Sequence, residues 1–423
     1  MISDFCDNNK NSASECQRDP KYYHSDGSII FLVDGVLFKL QASLIFGSRI
    51  GHDCPAATVD PFNRPTPMYL EDITSGASDS SDPSPITLAK VTVRQFRHYL
   101  LLIFGLPTDK EYTKTVTGPL HPSRYTSDLC IRYLDTSCLA YRFGRTDIEE
   151  WAINMLYDSL TKSMHNLTLG AWDKDTLKQL RLFTRGKKPE LPSVTFIQYF
   201  ISVSVNEAAL AEGNIIAASN HETCVQLYKD PKLPIEDPAL FGCVFASILS
   251  LGNRSSTWTT KLAGKMRAIL YNAQVEFVNL SAQFQSLHWL VQPEAPSALP
   301  AFETICSCCR RRFLTLWSES FGKCGNLGSS VLLRDISSLA QLPQRRLSLV
   351  HKWEDDRAPV ITLPPPQSNT WFRKADPPLV CEQGRCSLDD ILLNIDDRIQ
   401  QVFEEITTHY RRFFAALEED TDN

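Results

Sequence analysis

The side chains best suited to chemistry in this 423-residue chain are its thirteen cysteines. Cys306, Cys308 and Cys309 stand in the run C-S-C-C just ahead of Arg310, Arg311 and Arg312, and Cys324, Cys381 and Cys386 follow. Thiolates bind Zn²⁺ tetrahedrally, and two close pairs are the usual supply. Cys306 and Cys309 have the C-x-x-C spacing that lets two sulfurs reach one ion, and Cys381 and Cys386 offer a second pair as C-x4-C. The pairs lie far apart in the chain, so the fold must bring them together. The alternative is a set of buried free thiols, which pack as small hydrophobes. An odd cysteine count in a long chain fits a reducing compartment rather than a disulfide framework. The N-terminus lacks a charged segment followed by an apolar one, as a secretory signal would need. The expected location is therefore intracellular, in cytoplasm or nucleus.

Other chemistry is sparse. His221-Glu222-Thr223-Cys224 lacks the second histidine of H-E-x-x-H. Gly325 to Ser330 is glycine-containing but has no Gly-Lys-Ser/Thr, and no G-x-S-x-G elbow occurs. The expectation is a protein that is not an enzyme. Arg345-Arg346-Leu347-Ser348 has the form of a basophilic kinase site, a pattern that chance often supplies. The net charge is −6, and residues 387–423 hold ten acids and three arginines. The remaining 39 acids and 40 bases nearly cancel. A near-neutral body has no electrostatic footprint for nucleic acid. The longest apolar run, Ala239 to Leu251, is too short to span a membrane.

The elements that must position these residues begin with a polar arm, residues 1–21, that reads as disordered. Ser28 to Val33 is β-branched and aromatic and predicts a buried strand. Asp34-Gly35 then supplies a hairpin turn, since both positions tolerate positive φ, and Val36 to Leu40 returns. Gln41 to Phe46 predicts a short helix. Residues 53–85 hold six prolines and a long polar run and read as a surface loop, with room for a short strand at Pro67 to Ile73. In Thr92 to Gly105, Val93, Phe96, Leu100 and Phe104 recur at spacings of three and four, which marks one helix face. Two more helices are predicted, Ser127 to Phe143 and Thr146 to Leu160.

This order of elements resembles the BTB/POZ domain, a protein-interaction fold. The matching residues are Asp26, Val33, Phe38, Leu40, Ile86, Leu88, Phe96, Leu100, Leu101 and Gly105, with Leu139 to Phe143 similar to a helical segment of the family. The likeness covers about a third of the chain and is closest to divergent BTB proteins abundant in mushroom-forming fungi, whose second halves are helical and cysteine-containing. It implies protein partners, self-association, or scaffolding of a ubiquitin ligase or transcriptional complex. Gln41 stands where the family usually has His, and Val91 to Gln95 lacks the Glu of the cullin-contact signature.

After a hinge-like stretch from Leu160 to Pro192, the pattern is helical over 193–354. Phe196, Tyr199, Phe200 and Val203 share a face, as do Leu240, Val244, Ile248 and Leu251. Residues 355–386 are proline-rich and read as a linker that carries the Cys381–Cys386 pair. Residues 387–419 predict a long amphipathic helix opened by Ser387 and Asp390 as a capping box. There Leu388, Leu392, Ile395, Ile399, Val402, Ile406 and Phe413 run near a heptad, with His409 in the series. That seam fits a coiled coil or a helix laid on its own domain. The predicted class is α+β: a BTB/POZ-like domain over 22–165, then a mostly α-helical region with a long terminal helix. The expected function is a non-enzymatic interaction adaptor, and the alternative is a zinc-stabilised helical binding or regulatory module on which the first domain only docks.

Overall fold

The computed structural model describes residues 16–48, 66–69, 84–118, 125–185, 191–205, 213–278, 280–291, 296–297, 299–322, 336–355 and 386–419. Two compact units divide it, Met1–Gly170 with Lys178–Lys187, and Ala171–Leu177 with Lys188–Asn423. The class is α+β: a small sheet of four strands, then a mostly helical region with a long C-terminal helix.

The first unit opens on β1 (Gln17–Tyr23), β2 (Ile29–Val33) and β3 (Val36–Leu40). Asp34 and Gly35 turn with φ of 44° and 78°, and β2 and β3 pair antiparallel from Val33↔Val36 to Ile29↔Leu40. The predicted arm is cut short, because β1 lies parallel to β3 along the sheet edge. Its order comes from partners remote in sequence. Asp19 is buried, accepts the Lys21 and Tyr22 amides at 2.9 Å each, and takes the Arg97 guanidinium at 2.8 Å. Residues 1–15 fall outside the described residues. So does most of the 53–85 loop, including 70–73 of the expected short strand; its described residues, 66–69 and 84–85, are not strand.

Helix α1 (Ala42–Ile45) and strand β4 (Ile86–Thr87) complete the sheet layer, in the order β1-β3-β2-β4. Helix α2 (Val93–Phe104) starts at a Thr92–Gln95 capping box and buries Phe96, Tyr99, Leu100 and Leu101. Helices α3 (Lys110–Thr117), α4 (Ser127–Arg142) and α5 (Thr146–Lys162) follow. The core is an aromatic cluster: Phe96 meets Phe38 edge-on at 4.8 Å, and Phe143 meets Phe46 edge-on at 5.3 Å.

The expected hinge contains two helices, α6 (Met164–Leu167) and α7 (Lys174–Thr184). Asp173 starts α7 by accepting the Thr176 amide and hydroxyl at 2.8 and 2.7 Å, and Leu177, Leu180 and Phe183 are buried at helical spacing.

The second unit comprises α8 (Leu191–Ser204), α9 (Ile215–Tyr228), α10 (Leu233–Glu236), α11 (Pro238–Ser250), α12 (Gly264–Glu276), α13 (Leu280–Gln283), α14 (His288–Val291), α15 (Ser307–Phe321), α16 (Ile336–Ala340), α17 (Leu342–Asp355) and α18 (Asp389–Glu419). Every residue from Ala239 to Leu249 of α11 is buried. A helix apolar all round belongs in the middle of its unit, and α8, α9, α16 and α18 pack around this one. Among the described residues no helix is long and apolar enough to cross a membrane.

The 31 residues of α18 answer the choice left open by the heptad. Ile391, Ile395, Ile399, Val402, Phe403 and Ile406 are buried within this unit, chiefly against α11. Gly242 makes the close approach possible, since a Cβ there would sit 1.8 Å from the Phe403 carbonyl oxygen. Thr407 reinforces the crossing by donating to the Pro238 carbonyl at 2.6 Å. The cap differs in detail from the expected box: Ser387 accepts the Asp389 amide at 3.0 Å and donates to the Asp389 carboxylate at 2.6 Å.

Candidate functional site

In the second unit a short 3-10 turn (Phe302–Thr304) leads into α15, with Cys306 as its N-cap residue and Cys308 and Cys309 in its first turn. Arg310 fastens this entry, its guanidinium donating to the carbonyls of Ile305 at 2.8 Å and Glu303 at 2.6 Å. Phe313 and Trp317 continue the buried face that Cys309 begins, and Arg312 lies over the Trp353 ring at 5.0 Å. The three basic residues therefore differ in use: Arg310 and Arg312 are tied down, and Arg311 is exposed.

The sulfurs of Cys306, Cys308 and Cys309 lie within 4.8 Å of one another, with Cys306 and Cys308 3.0 Å apart. Cys386, buried just before α18, accepts the Cys306 amide on its sulfur at 3.3 Å, across 80 positions of sequence. Three members of the sequence-derived donor set, Cys306, Cys309 and Cys386, are thus neighbours. Cys381 lies outside the described residues, as does Cys324. The member that spacing missed is Cys308. Its signal was present in the C-x-C and C-C steps around it, but a pairwise search for C-x-x-C passes over them.

Three other described cysteines behave as core residues, while Cys16 is exposed and Cys138 half-buried. Cys130, Cys224 and Cys243 are buried, and burial pushes each thiol up from its ordinary value. His221 pairs its Nε2 with Thr257 Oγ1 at 2.9 Å, and Glu222 pairs with Lys261 at 2.9 Å, so this sequence motif joins α9 to the turn before α12. Arg346 of the kinase-like motif is engaged by Asp396, and Leu347 beside it is buried.

The first unit presents a different feature. One face of α3, carrying Lys110, Thr113, Lys114 and Thr117, lines an open groove of about 590 Å³ with Pro107 and Thr126. Residues spaced at three and four share a helix face, so both lysines serve one wall. Asp109 starts this helix by accepting the Glu111 amide at 2.9 Å, and Lys21 at 3.0 Å holds its carboxyl below the usual range. Arg132 braces the other side of α3 through Glu111 at 2.8 Å and Thr115 at 2.6 Å. Leu106, immediately before the groove, is 65% exposed. The sequence reading had no helix here, because eight residues with a single apolar Val116 show no periodicity.

No family model, no curated protein and no solved structure matches this chain.

Proposed function

We propose that the chain is a non-catalytic protein-binding adaptor whose first unit is a BTB/POZ-like interaction module. The order of elements supports the resemblance: a hairpin turned by Asp34-Gly35, a short helix, a further strand in the same sheet, then α2, α4 and α5. The observation that carries the binding role is Leu106, a large apolar side chain in solvent beside a groove walled by α3. A single exposed apolar residue is common on a protein surface, so Leu106 counts here through its place at the groove, where Lys110 and Lys114 favour a partner with acidic residues flanking an apolar anchor.

The test uses the full chain as bait, with quantitative identification of proteins retained by wild type and by Leu106→Asp. Truncating a hot-spot side chain at an interface centre costs about 2 kcal/mol or more, and a buried charge there costs more. The reading requires a defined subset of partners to drop at least about fivefold, with the melting temperature unchanged. An identical partner list for the two proteins contradicts it.

A further inference from the structure

The cysteine cluster supports a more specific conclusion than its spacing in sequence. Zinc–thiolate bonds of about 2.3 Å in a tetrahedron put sulfurs roughly 3.8 Å apart. The three sulfurs at the start of α15 fall within 4.8 Å of one another. The Cys306–Cys308 pair, at 3.0 Å, needs to open by less than about 1 Å to take the ion. Cys386 stands beside this group at the start of α18, its sulfur on the Cys306 amide, and has to move in from outside the three-sulfur cluster to become the fourth ligand.

Metal-bound thiolates are anionic, and the surroundings suit that charge. Helix α15 begins with no side-chain cap, so its first-turn amides and its dipole favour negative charge there. Amide-to-sulfur hydrogen bonding is already made by Cys306 to Cys386. Arg310, held at the helix entry by the Ile305 and Glu303 carbonyls, puts one positive charge beside the segment that would carry the double negative charge of zinc with four thiolates. An all-sulfur donor set selects zinc over the hard cations calcium and magnesium.

We infer that Cys306, Cys308, Cys309 and Cys386 hold one zinc ion, a four-thiolate site that latches the start of the long terminal helix to the start of α15. The latch closes a loop of 80 positions between Cys306 and Cys386. Such closure removes freedom from the unfolded chain, and binding of the ion adds to folding free energy. Cys308 joins Cys306, Cys309 and Cys386 of the sequence-derived set, and Cys381 lies outside the described residues. The site is independent of the adaptor reading, and none of its readouts involves a partner protein.

The experiment is metal analysis and native mass spectrometry of the full-length chain, purified under reducing conditions from zinc-supplemented cells. One zinc per chain is expected. Exchange for Co²⁺ should give the near-ultraviolet charge transfer and visible bands of a tetrahedral thiolate centre. Cys308→Ser and Cys386→Ser should each weaken zinc binding by more than about tenfold, the lower bound typical even of changes outside the ligand shell. Cys381→Ser should leave it unchanged. Should a variant fail to fold, wild type alone decides by alkylation: Cys306, Cys308, Cys309 and Cys386 gain reactivity when a chelator strips the zinc, and Cys381 does not. A zinc-free chain overturns the site. So does zinc that depends on Cys381, or zinc that leaves Cys308 or Cys386 open to alkylation.

Discussion

His409 is the polar break in the apolar series of α18, and its surroundings decide what it does. The ring contacts Phe277 and Phe284 at 5.4 and 5.0 Å, with Glu276 at 3.3 Å and Arg412 at 3.2 Å from its Nδ1. Burial lowers its affinity for a proton from the ordinary 6.5, with Glu405 pulling the other way. The unfolded chain therefore binds this proton more readily than the fold does. Its contribution is complete above the ordinary value and is lost as pH falls through the lowered one. Melting scans between about pH 7 and about pH 5 should show a smaller loss of stability for His409→Gln than for wild type. Equal slopes would remove His409 from the account. Arg346 is the second informative residue. It forms a bidentate pair with Asp396 at 2.9 and 2.8 Å, with side chains 13% and 5% exposed. Burial pushes the Asp396 carboxyl up, and the Arg346 guanidinium opposes that rise. Arg346→Ala strands a buried acid and should cost about 3–5 kcal/mol in denaturant unfolding, whereas Arg346→Met with Asp396→Leu should recover most of it. A loss below about 1 kcal/mol in the single variant would mean that the pair is solvated.

At the scale of elements, α11 and α18 depend on one missing side chain. Gly242→Ala places a methyl group against the Phe403 backbone, where no rotamer can yield. Overpacking of this kind costs about 1–3 kcal/mol, and the upper end is expected here. Ser247→Ala on the same helix replaces a buried hydroxyl with a smaller group and should cost less. If Gly242→Ala is neutral in urea unfolding, the close crossing is not a feature of the protein in solution. This is also where legibility in the sequence divides. The hairpin at Asp34-Gly35 and the helices α2, α4, α5 and α18 were visible because each states its own period or turn chemistry. β1 was not, since its order rests on β3 and on Arg97 reaching Asp19, contacts that no local window contains. α3 and α7 were hidden for related reasons: α3 is short and polar, and α7 sits in a stretch read from its basic run and prolines. Three of the four cysteines of the candidate site were legible in the sequence. Cys306, Cys309 and Cys386 were singled out by spacing, while Cys308 needed the turn of α15 to show that neighbours along the chain also meet in space.

Over the whole molecule, two compact units differ in construction. The first joins a four-stranded sheet to helices around Phe31, Phe38, Phe96 and Phe143 and carries the α3 groove. The second wraps helices around α11 and gathers cysteines where α15 and α18 begin. The two proposals fall on different units, partner contact on the first and a metal site on the second. The adaptor claim is tested most directly by hydrogen–deuterium exchange on the full chain, free and bound to a protein it retains. The account predicts slowed exchange over Leu106 to Thr117, with residues of α15 and α18 unchanged. Protection confined to α15 and α18, with Leu106 to Thr117 exchanging as in the free chain, would contradict it.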